Sequence, residues 1–582
     1  MYQSELNEIQ LQNFKSFSKS ATFPIRPITL IFGPNSSGKS SFLQSLLLLK
    51  QSANSKKSSQ LSPQGPHVNL GDYKNFVYDH DIKNNFSVSF SFDFRESDKI
   101  PFDFLCLPGK LRQLLYIVKQ FDTIKIKLSF GAIKKSFNAF VKTMEISLGE
   151  DSEPFLFYTF EDETDKNSNR YFYNPFRTNL KHPFWKKYWQ SFYKNHKCKQ
   201  LIEEIEEWIF HEDEIIIENL LGTGFFSEEK MIEFNKSRMD ELDFFEKDIE
   251  QFRQHFLHVK NNLKGYEQAY ELFKIDSLDN LWLDFKCDSG FVVTRLNEDN
   301  PVYREEQYLE FANQPYILFP ILTQHISAYL DRFLYIGPLR EKPSRHYVYT
   351  DDSFIVDSKG SNMPDMIYKD PDLLKKINKD LASFGQKYQL KVVEYINKES
   401  SSEKIYSLQL INVKSGLWSN YTDVGFGFSQ LLPIITCLRA SKNKTIMIEQ
   451  PELHLHPSMQ AEMADLMIDA VKQEILEHKF KKNVDQLLNR SSSSTKPEIN
   501  KNSVIIETHS EHLILRILRR IRETTEGRNI STPPIYPDDV AVIYIQPGKE
   551  SSCTIHIPIT EDGEFARPWP NGFFSERAKE LF

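Results

Sequence analysis

Ile28-Thr-Leu-Ile-Phe32 runs straight into Gly33-Pro-Asn-Ser-Ser-Gly-Lys-Ser40, and this junction decides the fold. The first stretch is a compact apolar run, suited to a parallel strand buried on both faces. The second has the spacing Gly-x-x-x-x-Gly-Lys-Ser, a phosphate-binding loop when a strand precedes it and a helix follows. That helix is expected here, because Phe42, Leu43, Leu46, Leu47 and Leu49 give the next segment an apolar face. Glycines let the backbone curl until its N–H groups point at phosphate oxygens. The helix N-terminus adds partial positive charge. On this reading Gly33, Pro34, Asn35, Ser36, Ser37, Gly38, Lys39, Ser40 and Ser41 surround a nucleotide's phosphates. Lys39 reaches the β- and γ-phosphates, and Ser40 ligates Mg2+.

Working outward, two later segments repeat the theme of a short apolar strand ending in polar groups. Thr445-Ile-Met-Ile448 ends in Glu449-Gln450-Pro451-Glu452. A carboxylate at the carboxyl end of a buried strand is placed to hold a nucleotide's Mg2+, so Glu449 is the metal-site partner of Ser40. Standing alone it would read equally well as an acidic strand cap. Val504-Ile-Ile506 ends in Glu507-Thr-His-Ser510, and a helix carrying Leu513, Ile514, Ile517 and Leu518 follows. His509 is thereby expected at the γ-phosphate or the attacking water; the bland alternative is a structural histidine. A fourth segment, Asp423-Val-Gly-Phe-Gly-Phe-Ser-Gln430, precedes a helix with Leu431, Leu432, Ile434 and Ile435. It is either a plain glycine-rich turn or a second anion-binding helix start. One chain needs one cradle per nucleotide, so Gly425, Gly427, Ser429 and Gln430 are expected to serve a neighbour's nucleotide.

The chain has 582 residues, a net charge of −8, 40% hydrophobic and 26% charged residues, and is rich in phenylalanine. A folded core is therefore expected rather than disorder. The charge and the pI of about 6.1 lack the basic excess of a typical duplex-DNA binder, although local patches leave DNA or RNA contact open. The five cysteines are scattered without a CxxC pair, which suggests neither zinc nor a disulfide framework and fits a reducing compartment. With no signal-like start and no membrane-length apolar run, a cytoplasmic protein without membrane contact is expected.

The alternating stretch Asn85–Phe94 reads as a half-buried strand, and further strands are expected near 123–130, 155–160, 280–285, 290–296, 388–395 and 405–413. Between them the character turns helical. Leu242, Phe245, Ile249, Phe252, Phe256, Val259 and Leu263 recur in a heptad seam. That seam is either a helical hairpin packing on itself or a short coiled-coil arm. The expected organisation is residues 1–100 as the first part of an ATPase head, 101–175 as a mixed β segment, 176–278 as a helical insert, and 279–582 as the rest of the head.

Taken together, the four segments in this order resemble ABC-type ATPases near the OLD, RecF and SMC heads. Within that class the chain looks like bacterial stand-alone AAA-family proteins whose Walker B segment has the form Ile448-Glu-Gln-Pro-Glu-Leu-His-Leu-His-Pro457. The resemblance implies an α/β fold, an ABC-type P-loop ATPase head with a mixed sheet and an inserted helical subdomain. It implies ATP and Mg2+, with Lys39 and Ser40 as Walker A residues, Glu449 as the Walker B carboxylate and His509 as the switch histidine. The Gly425–Gln430 stretch stands in for the signature loop, His456–Gln460 for a D-loop, and Gln51 is a Q-loop candidate. One departure concerns the position after Glu449, where such ATPases usually carry a catalytic glutamate. Here it is Gln450, which can orient a water but cannot take its proton. Glu452 could serve as the base, or hydrolysis is slow.

In many OLD-like proteins a Toprim nuclease follows the ATPase; the stretch after His509 is too short for one, so no nuclease activity is expected. The leading expectation is a homodimer or higher homo-oligomer. It resembles the ATPase subunits of Septu-like and retron-associated antiphage systems, and the resemblance implies control of a separately encoded effector, expected to be a nuclease. The rivals are a RecF/SMC-like DNA-repair clamp and a nucleotide-binding scaffold with little hydrolysis.

Overall fold

The computed structural model describes residues 5–53, 60–93, 118, 120–132, 139–149, 153–159, 176–178, 182–184, 318–350, 355–384, 388–395, 404–487, 502–528 and 532–570. The heptad seam and the strands expected at 280–285 and 290–296 lie outside them.

The chain divides into two compact units, Met1–Glu5 with Ser91–Leu128 and Val141–Gln324, and Leu6–Phe90 with Ser129–Phe140 and His325–Phe582. In the first, the strands Leu156–Thr159 and Phe176–Thr178 pair antiparallel, and Leu156–Thr159 also pairs with the strand Ala139–Leu148. Phe155 and Phe184 pack ring against ring there, with centroids 4.6 Å apart.

The second unit holds the elements the sequence argument depends on. Its central sheet contains β1 (Ile28–Phe32), β2 (Phe333–Ile336), β3 (Thr445–Glu449), β4 (Ser503–Glu507), β5 (Val540–Gln546) and β6 (Cys553–His556), in spatial order β6-β5-β1-β4-β3-β2. The pairs β5/β1, β1/β4, β4/β3 and β3/β2 are parallel, and β6 alone runs antiparallel at one edge. All five residues of β1 and all five of β3 are buried, which is why both read as continuous apolar runs instead of alternating ones. Each fully buried Ile, Leu, Phe or Met contributes about 1.5–3 kcal/mol relative to exposure.

The helices that flank this sheet are α1 (Lys39–Ala53), α2 (Phe426–Ala440), α3 (Pro457–Leu487) and α4 (Glu511–Thr525). α4 is amphipathic. It buries Leu513, Ile514, Ile517, Leu518 and Ile521, and its N-terminus is capped by Ser510, whose hydroxyl accepts from the Leu513 N–H at 3.1 Å. Asp465 of α3 accepts from Arg516 and Arg520 of α4, each at 2.8 Å, tying the two helices together. A smaller antiparallel sheet in the same unit, order Tyr347–Val348, Ile405–Asn412, Tyr388–Tyr395 with Trp418–Asn420 on the central strand, leads directly into α2. Among the described residues no helix is long and apolar enough to cross a membrane.

Candidate functional site

The parallel register explains why distant segments meet. In a parallel sheet the carboxyl ends of the strands share one edge, and the loops leaving that edge form a crevice where ligands bind. Glu449 at the end of β3 lies in register with Glu507 at the end of β4, and Glu507 lies in register with Ile31 of β1. The pairing continues past the strand ends, since the Gln450 N–H donates to the Glu507 carbonyl at 2.8 Å and the Thr508 N–H to Ile31 at 3.1 Å. The loop after β1, the 449–452 turn and the 507–510 turn are thus stitched side by side.

The loop after β1 has the conformation a phosphate cradle requires. Gly33 (φ +152), Ser36 (φ +61) and Gly38 (φ +108) have positive φ. A Cβ on Gly33 would sit 2.6 Å from the Ile545 carbonyl, and one on Gly38 2.3 Å from the Ser16 hydroxyl. Both positions therefore need glycine for space as well as conformation. Asn35 and Ser36 are exposed, while Ser37 is only 1% exposed and its hydroxyl has no hydrogen-bond partner. A buried hydroxyl without a partner is costly and is explained if a ligand oxygen belongs beside it. Lys39 is 4% exposed and donates to the carbonyls of Gly33 at 3.0 Å and Pro34 at 2.9 Å, so its ammonium is curled back inside the loop. Burial lowers its pKa, opposed by Glu507 and Glu452.

Three carboxylates face this loop. Glu449 is pushed up to about 7 by burial and by the neighbouring Glu507 charge, against the opposing effects of Tyr335, Arg340 and Lys15. The Tyr335 hydroxyl donates to its Oε1 at 3.0 Å, and Arg340 donates to its main-chain carbonyl at 3.0 Å. Glu507 Oε2 accepts from the Ser40 hydroxyl at 2.8 Å. Its pKa is raised by burial, although the Ser40 bond and Lys39 pull the other way. Glu452, also raised by burial, has both oxygens occupied: one accepts from the Thr508 hydroxyl at 2.8 Å, the other from the His509 N–H at 2.7 Å. His509 is lowered by burial and by the Lys39 charge, which places its imidazole in the field of the cradle's ammonium. The Ser510 hydroxyl donates to Gln460 at 2.8 Å, joining this turn to the first turn of α3.

Chemically, the arrangement combines amide donors and an ammonium for phosphate oxygens with a hydroxyl and carboxylates suited to a hard divalent cation. Among the described residues no group of three or more His, Cys, Asp or Glu side chains is placed to hold a metal alone. That is compatible with Mg2+, which is usually held by one or two carboxylates together with substrate phosphates and water.

Four residues of this site went unassigned in the sequence reading: Glu507, Tyr335, Arg340 and Lys15. Lys15, at φ +48 in the loop that packs on Gly38, bonds the Gln44 side chain and feels the Glu449 charge. Two expectations need correction. Ser429 and Gln430 were expected to face a neighbour's phosphates; they are 3% and 2% exposed, turned into their own chain. The first turn of α2 is closely seated, since a Cβ on Gly427 would lie 2.8 Å from the His454 carbonyl. Gly425 alone of the four is exposed, at the start of α2, where no side chain caps the helix. Gln51 is not turned to the cradle: its amide accepts from Val68 N at 3.1 Å and donates to the Ser62 and Val68 carbonyls, pinning the 62–68 loop.

No curated protein matches the chain. Solved structures that match include the Smc head domain with an extended coiled coil bound to the C-terminal domain of ScpA from Pyrococcus furiosus, 11% identical, covering 99% of this chain and 98% of that one, TM-score 0.33. The Smc head domain with a coiled coil and joint from Pyrococcus yayanosii is 10% identical, with 99% of each chain covered and TM-score 0.34. The SMC head domain from Thermotoga maritima is 7% identical, with coverage of 96% and 99% and TM-score 0.31. A family model described as an AAA ATPase domain matches residues 5–314 and 339–514, most of the chain, including the glycine loop, the 449–452 turn and the 507–510 turn. The cradle and the strand-end carboxylates thus lie inside a recognised ATPase unit, and the chain belongs to the AAA ATPase domain family.

Proposed function

We propose that this ATP-binding ATPase is a nucleotide-controlled switch built from paired chains. The observation that carries the reading is the convergence of Lys39, Ser40, Glu449 and His509 on one edge of a parallel sheet, while α2 starts uncapped at the exposed Gly425. Gly33–Ser41 and Lys39 take the triphosphate, Ser40 and Glu449 hold Mg2+, and His509 reads the γ-phosphate. Gln450 orients the attacking water without accepting its proton, so turnover is slow. Glu452 acts by positioning, because both of its oxygens are spent on Thr508 and His509. Bound Mg2+ supplies charge neutralisation at the phosphates. The start of α2 from a second copy closes the pocket, so nucleotide loss removes the attraction between the two chains.

The biological setting follows from the resemblance of the Ile448–Pro457 segment and its companions to ATPase subunits of bacterial antiphage systems. In that setting the paired ATPase holds or releases a separately encoded effector, a nuclease on this reading. Phosphate release by the wild-type protein and by Lys39→Ala tests the enzymatic part, with release by the wild type alone as the expected result. Co-purification with the product of the neighbouring gene, lost without ATP, tests the regulatory part. ATP-dependent DNA binding with a steep salt slope would instead favour the repair-clamp reading, against which the net charge of −8 weighs.

A further inference from the structure

We propose that Glu507, at the end of β4, is a second carboxylate of the nucleotide–metal site and the one that prepares Ser40 for the cation. The proposal rests on the ATP–Mg2+ reading above and adds a residue to it. Its first support is the bond from Ser40 Oγ to Glu507 Oε2 at 2.8 Å. A serine hydroxyl has one proton and two lone pairs. With the proton committed to Glu507, the lone pairs are left for a cation, which fixes the orientation a metal ligand needs.

The second support is the register. Glu507 and Glu449 are direct neighbours on parallel strands, 4% and 7% exposed. Two buried anions side by side are unfavourable unless a proton or a cation stands between or beside them. Lys39 is the cation whose charge acts on Glu507, and Lys39 is also the group that a triphosphate would engage. The polyanion would therefore draw away the positive charge that balances Glu507 while adding negative charge of its own. A dication restores the balance.

The third support is independent of the acids. The partnerless, buried Ser37 hydroxyl lies within the same loop and calls for a ligand oxygen beside Glu507's own partner, Ser40. Gln450 completes the picture. It carries no charge, its φ is +45, and its N–H is spent on the Glu507 carbonyl, so the chain leaves the edge there. The second acid comes from the neighbouring strand and not from the residue that follows Glu449.

The test uses the full-length protein and a fluorescent methylanthraniloyl-ATP, with affinity measured in EDTA and across a Mg2+ titration. Glu507→Gln keeps the volume and an acceptor for Ser40 but loses the charge. Its expected behaviour is an affinity in EDTA above that of the wild type, because a buried anion beside the triphosphate is gone, and a half-saturating Mg2+ concentration raised about 10–100-fold, the usual cost of losing a supporting group in a metal site. Glu507→Asp, which restores the charge on a shorter arm, recovers part of the Mg2+ response and carries the test if the Gln variant melts early. A wild-type Mg2+ response in Glu507→Gln overturns the proposal and leaves Glu507 as an anchor for Ser40 only. A wild-type protein that binds no nucleotide in either condition overturns the ATP reading itself.

Discussion

Glu452 offers a sharp test of how the site is held, because its carboxylate sits between two strand ends and can be neutralised without changing its size. In Glu452→Gln the amide oxygen can still accept from the His509 N–H, now at 2.7 Å. The amide nitrogen then faces Thr508, whose hydroxyl oxygen already receives the Ser510 N–H at 2.9 Å and whose proton points at position 452. The Thr508 hydroxyl must rotate and accept from the amide through its second lone pair, so a charge-assisted bond is lost to a neutral one. Such a bond is worth about 1.5–3 kcal/mol, and relief of the buried charge returns part of it. A net destabilisation of about 1–2 kcal/mol follows, read as a drop of a few degrees in melting temperature. The larger effect falls on turnover, since a misplacement of about 1 Å costs on the order of 100-fold in rate. The expected outcome is near wild-type ATP affinity with a strongly reduced kcat. Thr508→Val should reproduce most of that loss, and the double variant should be no worse than Glu452→Gln. If Thr508→Val turns over normally while Glu452→Gln is dead, Glu452 is the base and the positioning argument is wrong.

Other consequences follow from the same geometry. Gly38→Ala forces a Cβ to 2.3 Å from the Ser16 hydroxyl and 3.1 Å from the Phe17 ring at φ +108. It should cost about 1–3 kcal/mol in denaturant melts and abolish ATP binding; an unchanged melt would refute the strain. His325 is held at about 4 by burial and by Arg332, below its ordinary 6.5. The unfolded chain then takes up a proton that the folded chain refuses, so its contribution is present above about pH 6.5 and is lost as pH falls toward 4, by up to about 3 kcal/mol. Melting temperature should therefore fall more between pH 7 and 5 in the wild type than in His325→Gln, and equal slopes would contradict it.

The local parts of this architecture are legible in the sequence because local chemistry dictates them. Glycines at 33 and 38 are demanded by backbone conformation, and the apolar runs before Gly33, Glu449 and Glu507 announce buried parallel strands. The observed strands Phe86–Asp93, Tyr388–Tyr395 and Ile405–Asn412 lie within a residue of where alternation puts them. What escapes is anything set by register between distant segments. Glu449 and Glu507 look alike as strand-end acids, and only the pairing of β4 with both β1 and β3 says which one meets Ser40. Tyr335 and Arg340 reach Glu449 from another strand and its following turn, and no spacing rule links them. Ser429 and Gln430 mislead for the opposite reason: a polar residue after glycine reads as exposed, yet both are buried in the first turn of α2.

The central claim is that one chain supplies the triphosphate cradle and another closes it, and mixing two inactive variants tests it most directly. Lys39→Ala disables the cradle. Gly425→Glu places an anion at the start of α2, where a side chain meets nothing within 4 Å in its own chain. If the pocket is shared, each variant is inactive alone, and a mixed pair contains one intact site, so ATPase activity returns on mixing. Full activity of Gly425→Glu alone, or no recovery in the mixture, would contradict the account.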